Sequence, residues 1–179
     1  MKGYFMQAVF ERAQSVRVMI FDVDGVLTDG KLYLSDSGEE IKAFNTLDGH
    51  GLKMLKASGV ELAIITGRRS RLVELRAKNL GIDHLYQGVE DKLTAFAELL
   101  AKLGLTAEQA AYMGDDVVDL PVMRRCAIAF TVPAAPASVK RYSHYVAVAG
   151  GGEGAAREVC ELLMQAQGTF DQQMAKYLE

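Results

Sequence analysis

The chain has 179 residues, 50% of them apolar, with 20 Lys and Arg against 23 Asp and Glu and a net charge of −3. That length predicts a single domain, 1–179, burying roughly 70% of its unfolded surface; it excludes a disulfide-stapled mini-protein and a long disordered tail. The slight acidic excess gives no reason to expect nucleic acid or a membrane surface as partner. No apolar run approaches the roughly 20 residues of a membrane span, and residues 1–15 lack the order of a secretory signal. Cys126 and Cys160 stand far apart with no CxxC partner, which predicts small buried thiols in a reducing, cytoplasmic compartment.

From Val16 onward short apolar runs alternate with helical patterns. Val18-Met19-Ile20-Phe21 is the first strand, and Lys31–Leu34, Asp36-Ser37-Gly38 and Glu40–Phe44 then read as a β-hairpin, about 30–45, with a polar turn. Leu52 and Leu55 follow, with Asp48 as N-cap and Gly59 as stop, and Leu62–Ile65 is the next strand. Leu72, Leu75 and Leu80 before Gly81 repeat the helical arrangement. Leu93, Phe96, Leu99, Leu100 and Leu103 have i, i+3, i+4 spacing and stop at Gly104. Thr106–Gln109 reads as a capping box, and strands follow at Ala110–Met113, Ala127–Phe130 and Tyr145–Val148, with a C-terminal helix and tail about 154–179. None of these strands alternates cleanly with polar residues, so both faces are covered. The fold class is α/β: a doubly wound, mostly parallel Rossmann-like sheet with a projecting hairpin.

In such a sheet ligands bind beyond the carboxyl ends of the strands. Three strands end there in reactive side chains: Asp22-Val23-Asp24-Gly25, Thr66-Gly67-Arg68, and Gly114-Asp115-Asp116 with Asp119 behind it; Lys92 opens a helix between the second and third. Asp116 or Asp119 alone would pass for a helix cap, but three converging ends are poorly explained as caps. Carboxylates without a nearby His or Cys favour a hard, oxygen-preferring cation, Mg²⁺. A partly free carboxylate can then attack phosphorus, a hydroxyl and an ammonium can hold the phosphoryl oxygens, and a second carboxylate two residues on can protonate the leaving oxygen. His50, His84 and His144 show no ligand spacing. Gly150-x-Gly152-x-x-Ala155 superficially fits a dinucleotide fingerprint, but the rest of such a unit is missing; a loop and helix cap is the plainer reading.

Asp22–Gly30, Thr66-Gly67-Arg68, Lys92 and Gly114-Asp115-Asp116 resemble, in order, the four motifs of the haloacid dehalogenase-type phosphatases. Gly38–Asn45, Asp48–Gly51, His84–Gly88 and Gly150–Glu158 extend the likeness to the 3-deoxy-D-manno-octulosonate 8-phosphate phosphatases, over nearly the whole chain after Val16. The resemblance implies Asp22 as nucleophile and Mg²⁺ ligand, and Asp24 as general acid/base, with its main-chain carbonyl on the metal. Asp115 becomes the third protein ligand, Asp116 a supporting carboxylate, and Thr66 and Lys92 the holders of the phosphoryl group. Substrate contacts map to Asp24, Asn45, Thr46, Leu47, Asp48, Gly49, Lys53, Arg68, Arg76, Lys92 and Arg157, with Leu47 and Lys53 standing where relatives commonly carry Arg. The implied reaction hydrolyses the 8-phosphate of this eight-carbon sugar acid in lipopolysaccharide precursor synthesis. A nine-carbon ulosonic acid 9-phosphate, a receiver-type phosphoacceptor domain and a catalytically dead scaffold are the alternatives.

Only 42 positions separate Asp24 from Thr66, and 26 separate Thr66 from Lys92, which leaves no room for a cap domain over the site. Something else must exclude water there. A hairpin carrying Leu32, Tyr33, Leu34, Ile41 and Phe44 makes a poor lone edge and a good subunit contact. The expectation is a homotetramer in which hairpins pair and C-terminal segments, with Arg157 foremost, close neighbouring sites.

Overall fold

Val18–Phe21 (β1) is four apolar residues long and wholly buried, because it runs through the middle of the sheet with helices over both faces. The computed structural model describes residues 2–178. Before β1 lies a helix that the sequence reading did not anticipate, Lys2–Ala13 (α1), whose inner positions Val9 and Ala13 are buried. After β1 come the hairpin strands Tyr33–Leu34 (β2) and Glu40–Ile41 (β3), the helix Thr46–Ala57 (α2), and the strand Glu61–Thr66 (β4). Arg71–Leu80 (α3), His84–Gln87 (β5), Lys92–Leu103 (α4) and Ala110–Met113 (β6) follow. The chain continues through Leu120–Met123 (α5), Ile128–Thr131 (β7), Ala137–Lys140 (α6), Tyr145–Val146 (β8), Ala155–Ala166 (α7) and Phe170–Ala175 (α8).

The main sheet has six strands, all parallel, in the order β5-β4-β1-β6-β7-β8. Counted along the chain without the hairpin, that is the 3-2-1-4-5-6 order of the Rossmann fold. A receiver domain places its second strand at the sheet edge beside its first, so the topology excludes that alternative. The order reverses between β1 and β6, and Asp22 and Asp115 follow those two strands directly. The switch point therefore coincides with the two acidic motifs.

Several local expectations are corrected. Asn45, not Asp48, caps α2: its side chain accepts from the Leu47 and Asp48 N–H groups. Asn and Asp cap equally well in principle, and burial decides, since Asp48 is 2% exposed and turned toward α7. In α3 the buried stripe is Val73, Ala77 and Leu80, while Leu75 lies exposed. The strand at β8 ends at Val146, and Val148 beyond it is exposed. Edge strand β5 is half-buried along its length and too polar for an apolar-run search to find. Phe44 turns inward and packs against the core beneath the Arg76 guanidinium rather than joining the outer face of the hairpin. Both cysteines are free and buried, and burial pushes the Cys126 thiol up to about 12. No helix among the described residues is long and apolar enough to cross a membrane.

Candidate active site

The first motif places its carboxylates by burying what lies between them. Val23, Val26 and Leu27 go into the core, and the N–H groups of Val26, Leu27 and Thr28 all turn back to the Val23 carbonyl. That tight turn leaves Asp22 and Asp24 at the mouth of the sheet. Gly25 sits at φ +86°, and a Cβ there would stand 2.0 Å from Asp115 Oδ2, so only glycine lets β1 and β6 bring their acids together. The Gly150–Gly154 loop packs behind the same turn. Gly152 N–H donates to the Val26 carbonyl at 2.9 Å, and a Cβ on Gly151 would overlap the Gly25 carbonyl oxygen at 1.8 Å. The glycines of this loop thus serve close backbone approach to the first motif, and the dinucleotide reading falls away.

Lys92, the first residue of α4, points its ammonium into the site with its side chain 3% exposed. Its Nζ lies 2.8 Å from Asp22 Oδ2 and 2.7 Å from Asp119 Oδ1. Burial works against the lysine charge, but the two carboxylates outweigh it and hold its pKa above the usual value. Asp22 Oδ1 accepts from the Val23 N–H at 2.7 Å, so each of its oxygens is fixed by one donor and keeps lone-pair capacity free. Asp22 is pushed up to about 6, by burial first and then by Asp119, against the pull of Lys92. Asp115 rises to about 7, again by burial and then by repulsion from Asp22, Asp119 and Asp116. Acids crowded in this way want a cation.

Asp22, Asp115 and Asp119 present oxygens within 4.8 Å of one another. Asp119 is nevertheless spoken for: Oδ1 accepts from Lys92 Nζ and Tyr112 Oη, each at 2.7 Å, and Oδ2 accepts from Asp115 N–H at 3.0 Å and Asp116 N–H at 3.1 Å. All its acceptor positions are filled, which leaves Asp22 and Asp115 as the carboxylates of the group with free acceptor capacity for a cation. This all-oxygen donor set suits a small hard ion. The sequence places Asp119 behind the third acidic strand end without a role of its own; nothing local shows that its side chain would be fully buried under four donors. Asp116, exposed, caps the short turn Val117–Asp119 by accepting from Val117 N–H.

Asp22, Asp24, Thr66, Arg68, Lys92 and Asp115 line one cleft of about 540 Å³. At its wall Asp24 Oδ1 meets Lys42 Nζ, while Arg68 Nε is 3.7 Å from Asp24 Oδ2 and Arg68 Nη2 is 2.7 Å from Glu40 Oε1. Glu40 and Lys42 were not among the expected site residues; their alternation along β3 is the signal that could have found them.

The remaining expected contacts lie elsewhere in the chain. Arg76 donates to the Asn45 carbonyl at 2.9 Å and sits over Phe44, under the first turn of α2. Asp48 accepts from Gly154 N–H at 3.3 Å and Arg157 N–H at 2.8 Å, anchoring the start of α7. Arg157 pairs with Glu161 and lies against Gly51, outside the cleft of its own chain. Gly49 is buried, whereas Thr46, Leu47 and Lys53 are exposed. The C-terminal segment folds back over α2, where Tyr177 Oη meets His50 Nε2 at 2.9 Å.

A buried carboxylate paired with a buried lysine, at the switch point of a Rossmann-like sheet and facing a second acidic strand end, is the arrangement of a phosphoryl-transfer hydrolase. The haloacid dehalogenase-like hydrolase family matches residues 38–126. Over 164 residues the chain is 48% identical to the 3-deoxy-D-manno-octulosonate 8-phosphate phosphatase of Escherichia coli K12, covering 92% of this chain and 87% of that protein. The Yersinia pestis enzyme of the same name superposes with a TM-score of 0.90 at 49% identity, over 92% of this chain and 89% of that one. The Moraxella catarrhalis enzyme, solved with magnesium ion, phosphate ion and a KDO molecule, gives 0.94 at 44% identity over 96% and 99%. The chain belongs to the 3-deoxy-D-manno-octulosonate 8-phosphate phosphatases, within the haloacid dehalogenase-like hydrolases.

Proposed function

We propose that the protein is a Mg²⁺-dependent phosphomonoesterase that hydrolyses 3-deoxy-D-manno-octulosonate 8-phosphate to the free sugar acid and phosphate, supplying lipopolysaccharide precursor synthesis. The observation that carries this is the Asp22–Lys92 pair, 2.8 Å apart at the end of β1, in a chain 48% identical to an enzyme of that name. The Asp22 and Asp115 carboxylates, with the Asp24 carbonyl, would hold the Mg²⁺. Bound there, the ion offsets the charge between an anionic nucleophile and a dianionic phosphate.

The chain's own residues carry the steps. Lys92 and Thr66 bind the phosphoryl oxygens, and Lys92 also keeps Asp22 aimed at phosphorus. Asp22 attacks; an Asp22–phosphorus bond forms as the bond to the sugar oxygen breaks, and Asp24 gives its proton to that oxygen. Asp24, now a carboxylate, takes a proton from water as the water oxygen attacks phosphorus. Phosphate leaves and Asp22 is regenerated.

Arg68, on the cleft wall, is the cation in this chain best placed for the substrate's acidic end. Thr46, Leu47 and Lys53 are exposed at or near the start of α2 and belong, on this reading, to the wall of a neighbouring subunit's site. We place the enzyme in the cytoplasm, where its two free buried thiols stay reduced. The assembly is a homotetramer, supported by an uncapped cleft and by a hairpin that exposes Leu32, Tyr33, Leu34 and Ile41. The test is phosphate release from the 8-phosphate with and without Mg²⁺, in wild type and Asp22→Asn. Turnover in the variant, or turnover indifferent to chelator, would refute the mechanism; a nine-carbon 9-phosphate turned over with higher kcat/KM would refute the substrate.

A further inference from the structure

The two-residue strands of the hairpin are too short to be stable alone, yet one of its lysines is among the most deeply covered cations in the molecule. The Lys42 side chain is 2% exposed although neighbouring Ile41 is 61% exposed. Alternation through β3 and the residue after it explains the contrast: Glu40 and Lys42 turn toward Asp24 and Arg68 at the cleft wall and Ile41 turns out. An ammonium taken out of water must be met by charge, and it is. Lys42 Nζ is bonded to Asp24 Oδ1 and lies 3.2 Å from Glu40 Oε1. Glu40 is itself tied to Arg68 at 2.7 Å. The hairpin is thereby fastened to the second carboxylate of the first motif.

We propose that Lys42 is a positioning residue for proton transfer. It fixes Asp24 through Oδ1, leaving Oδ2, with Arg68 Nε 3.7 Å away, to serve the leaving oxygen, while Glu40 fixes Lys42. This rests on Asp24 being the general acid. The side chains that meet the Asp24 carboxylate, Lys42 and Arg68, come from outside its own loop; a freely rotating carboxylate would spend much of its time away from the reacting oxygen, and proton transfer is intolerant of that. Because Ile41 and its cross-strand partner Tyr33 are exposed on the outward face of the same hairpin, whatever covers them also steadies the grip on Asp24.

Leaving-group chemistry separates this role from others. A sugar alkoxide must be protonated as it departs, whereas p-nitrophenolate leaves as the anion. In the full-length Mg²⁺ enzyme, Lys42→Met is expected to lower kcat on the sugar 8-phosphate by roughly 100-fold, in the range of a lost general acid. On p-nitrophenyl phosphate the loss should be less than about threefold, and Lys42→Arg, which keeps the charge, should recover most of the sugar-phosphate rate. Asp24→Asn is run alongside and should show the same split between substrates. Equal losses on both substrates for Lys42→Met, or a rise in KM with kcat unchanged, would overturn the positioning role while leaving the Asp24 assignment intact. Absence of any split in Asp24→Asn would overturn that assignment, and this inference with it. Should Lys42→Met fail to fold, Lys42→Arg and Glu40→Gln decide the matter by the same ratio of rates: a shared split upholds the role and equal losses refute it.

Discussion

Asp119 accepts a 2.7 Å hydrogen bond from Lys92, and that one contact ties the buried lysine of the cleft to the loop bearing Asp115. The carboxylate is fully buried and spends all four acceptor positions on Lys92, Tyr112 and the Asp115 and Asp116 N–H groups. Asp119→Asn turns one side of that set into a donor facing donors. Breaking a buried charged pair from one side costs about 3–5 kcal/mol, and losing such a supporting contact typically costs 10- to 100-fold in activity or metal affinity. Urea unfolding and phosphate-release assays on Asp119→Asn should register both losses. A variant of wild-type stability would mean that the network tolerates rearrangement.

The crowding of Asp22 and Asp115 makes metal binding a proton-linked event. Without cation, burial and mutual repulsion raise them to about 6 and about 7 from an ordinary 3.8. Folded-state values above the unfolded ones mean that the folded chain holds the extra protons. Apo-protein stability from these groups is therefore greatest below pH 3.8 and declines as pH rises through 6 to 7. Mg²⁺ displaces those protons, so its affinity must climb with pH over the same window. Titration calorimetry should find tighter binding and less proton release at pH 8 than at pH 6, and Mg²⁺ should raise Tm more at the higher pH. A pH-independent affinity would argue that neither carboxylate is a ligand.

The contrast between these residues and others shows what a sequence exposes. Asp22, Asp24, Thr66 and Asp115 each follow an apolar run, and Lys92 opens a helix pattern, so local periodicity finds them and the open-sheet rule brings them to one edge. The 3-2-1-4-5-6 order follows less directly, since β5 is polar and half-buried and no apolar run announces it. Asp119, Lys42 and Glu40 resisted detection for a different reason. Their roles depend on partners far along the chain, 27 residues in the case of Asp119 and Lys92 and 18 in the case of Lys42 and Asp24. Asp48 was misread on the same grounds: its sequence neighbourhood looks like a helix cap for α2, and the helix start it actually holds lies more than a hundred residues later.

The outer face of the hairpin is the clearest candidate for assembly. Ile41 and its cross-strand partner Tyr33 are 61% and 42% exposed and share one face of a two-strand ribbon that cannot persist unaided. On the proposed homotetramer, placing a charge there, as in Ile41→Glu, should shift the mass toward smaller species in light scattering. Sugar-phosphate turnover should fall with it, because the cleft has no lid of its own. An unchanged mass with full activity would move the subunit contact to another surface.

Asp48 offers a test of structure against ligand binding at a single side chain. Its oxygens receive the Gly154 and Arg157 N–H groups at the first turn of α7, an anion at the positive end of a helix dipole. Burial raises its pKa and those backbone donors draw it down again. Asp48→Ala strands both N–H groups away from water and leaves the nearby Arg76 without its counter-charge, so a loss of about 2–3 kcal/mol follows. For a chain of this size that lowers Tm by roughly 4–12 °C. Below that temperature KM for the sugar phosphate should stay close to wild type, since the side chain faces α7 and not the cleft. Calorimetry and steady-state kinetics on the one variant decide it: a Tm within a degree of wild type with a KM raised tenfold would make Asp48 a substrate contact of an assembled site after all.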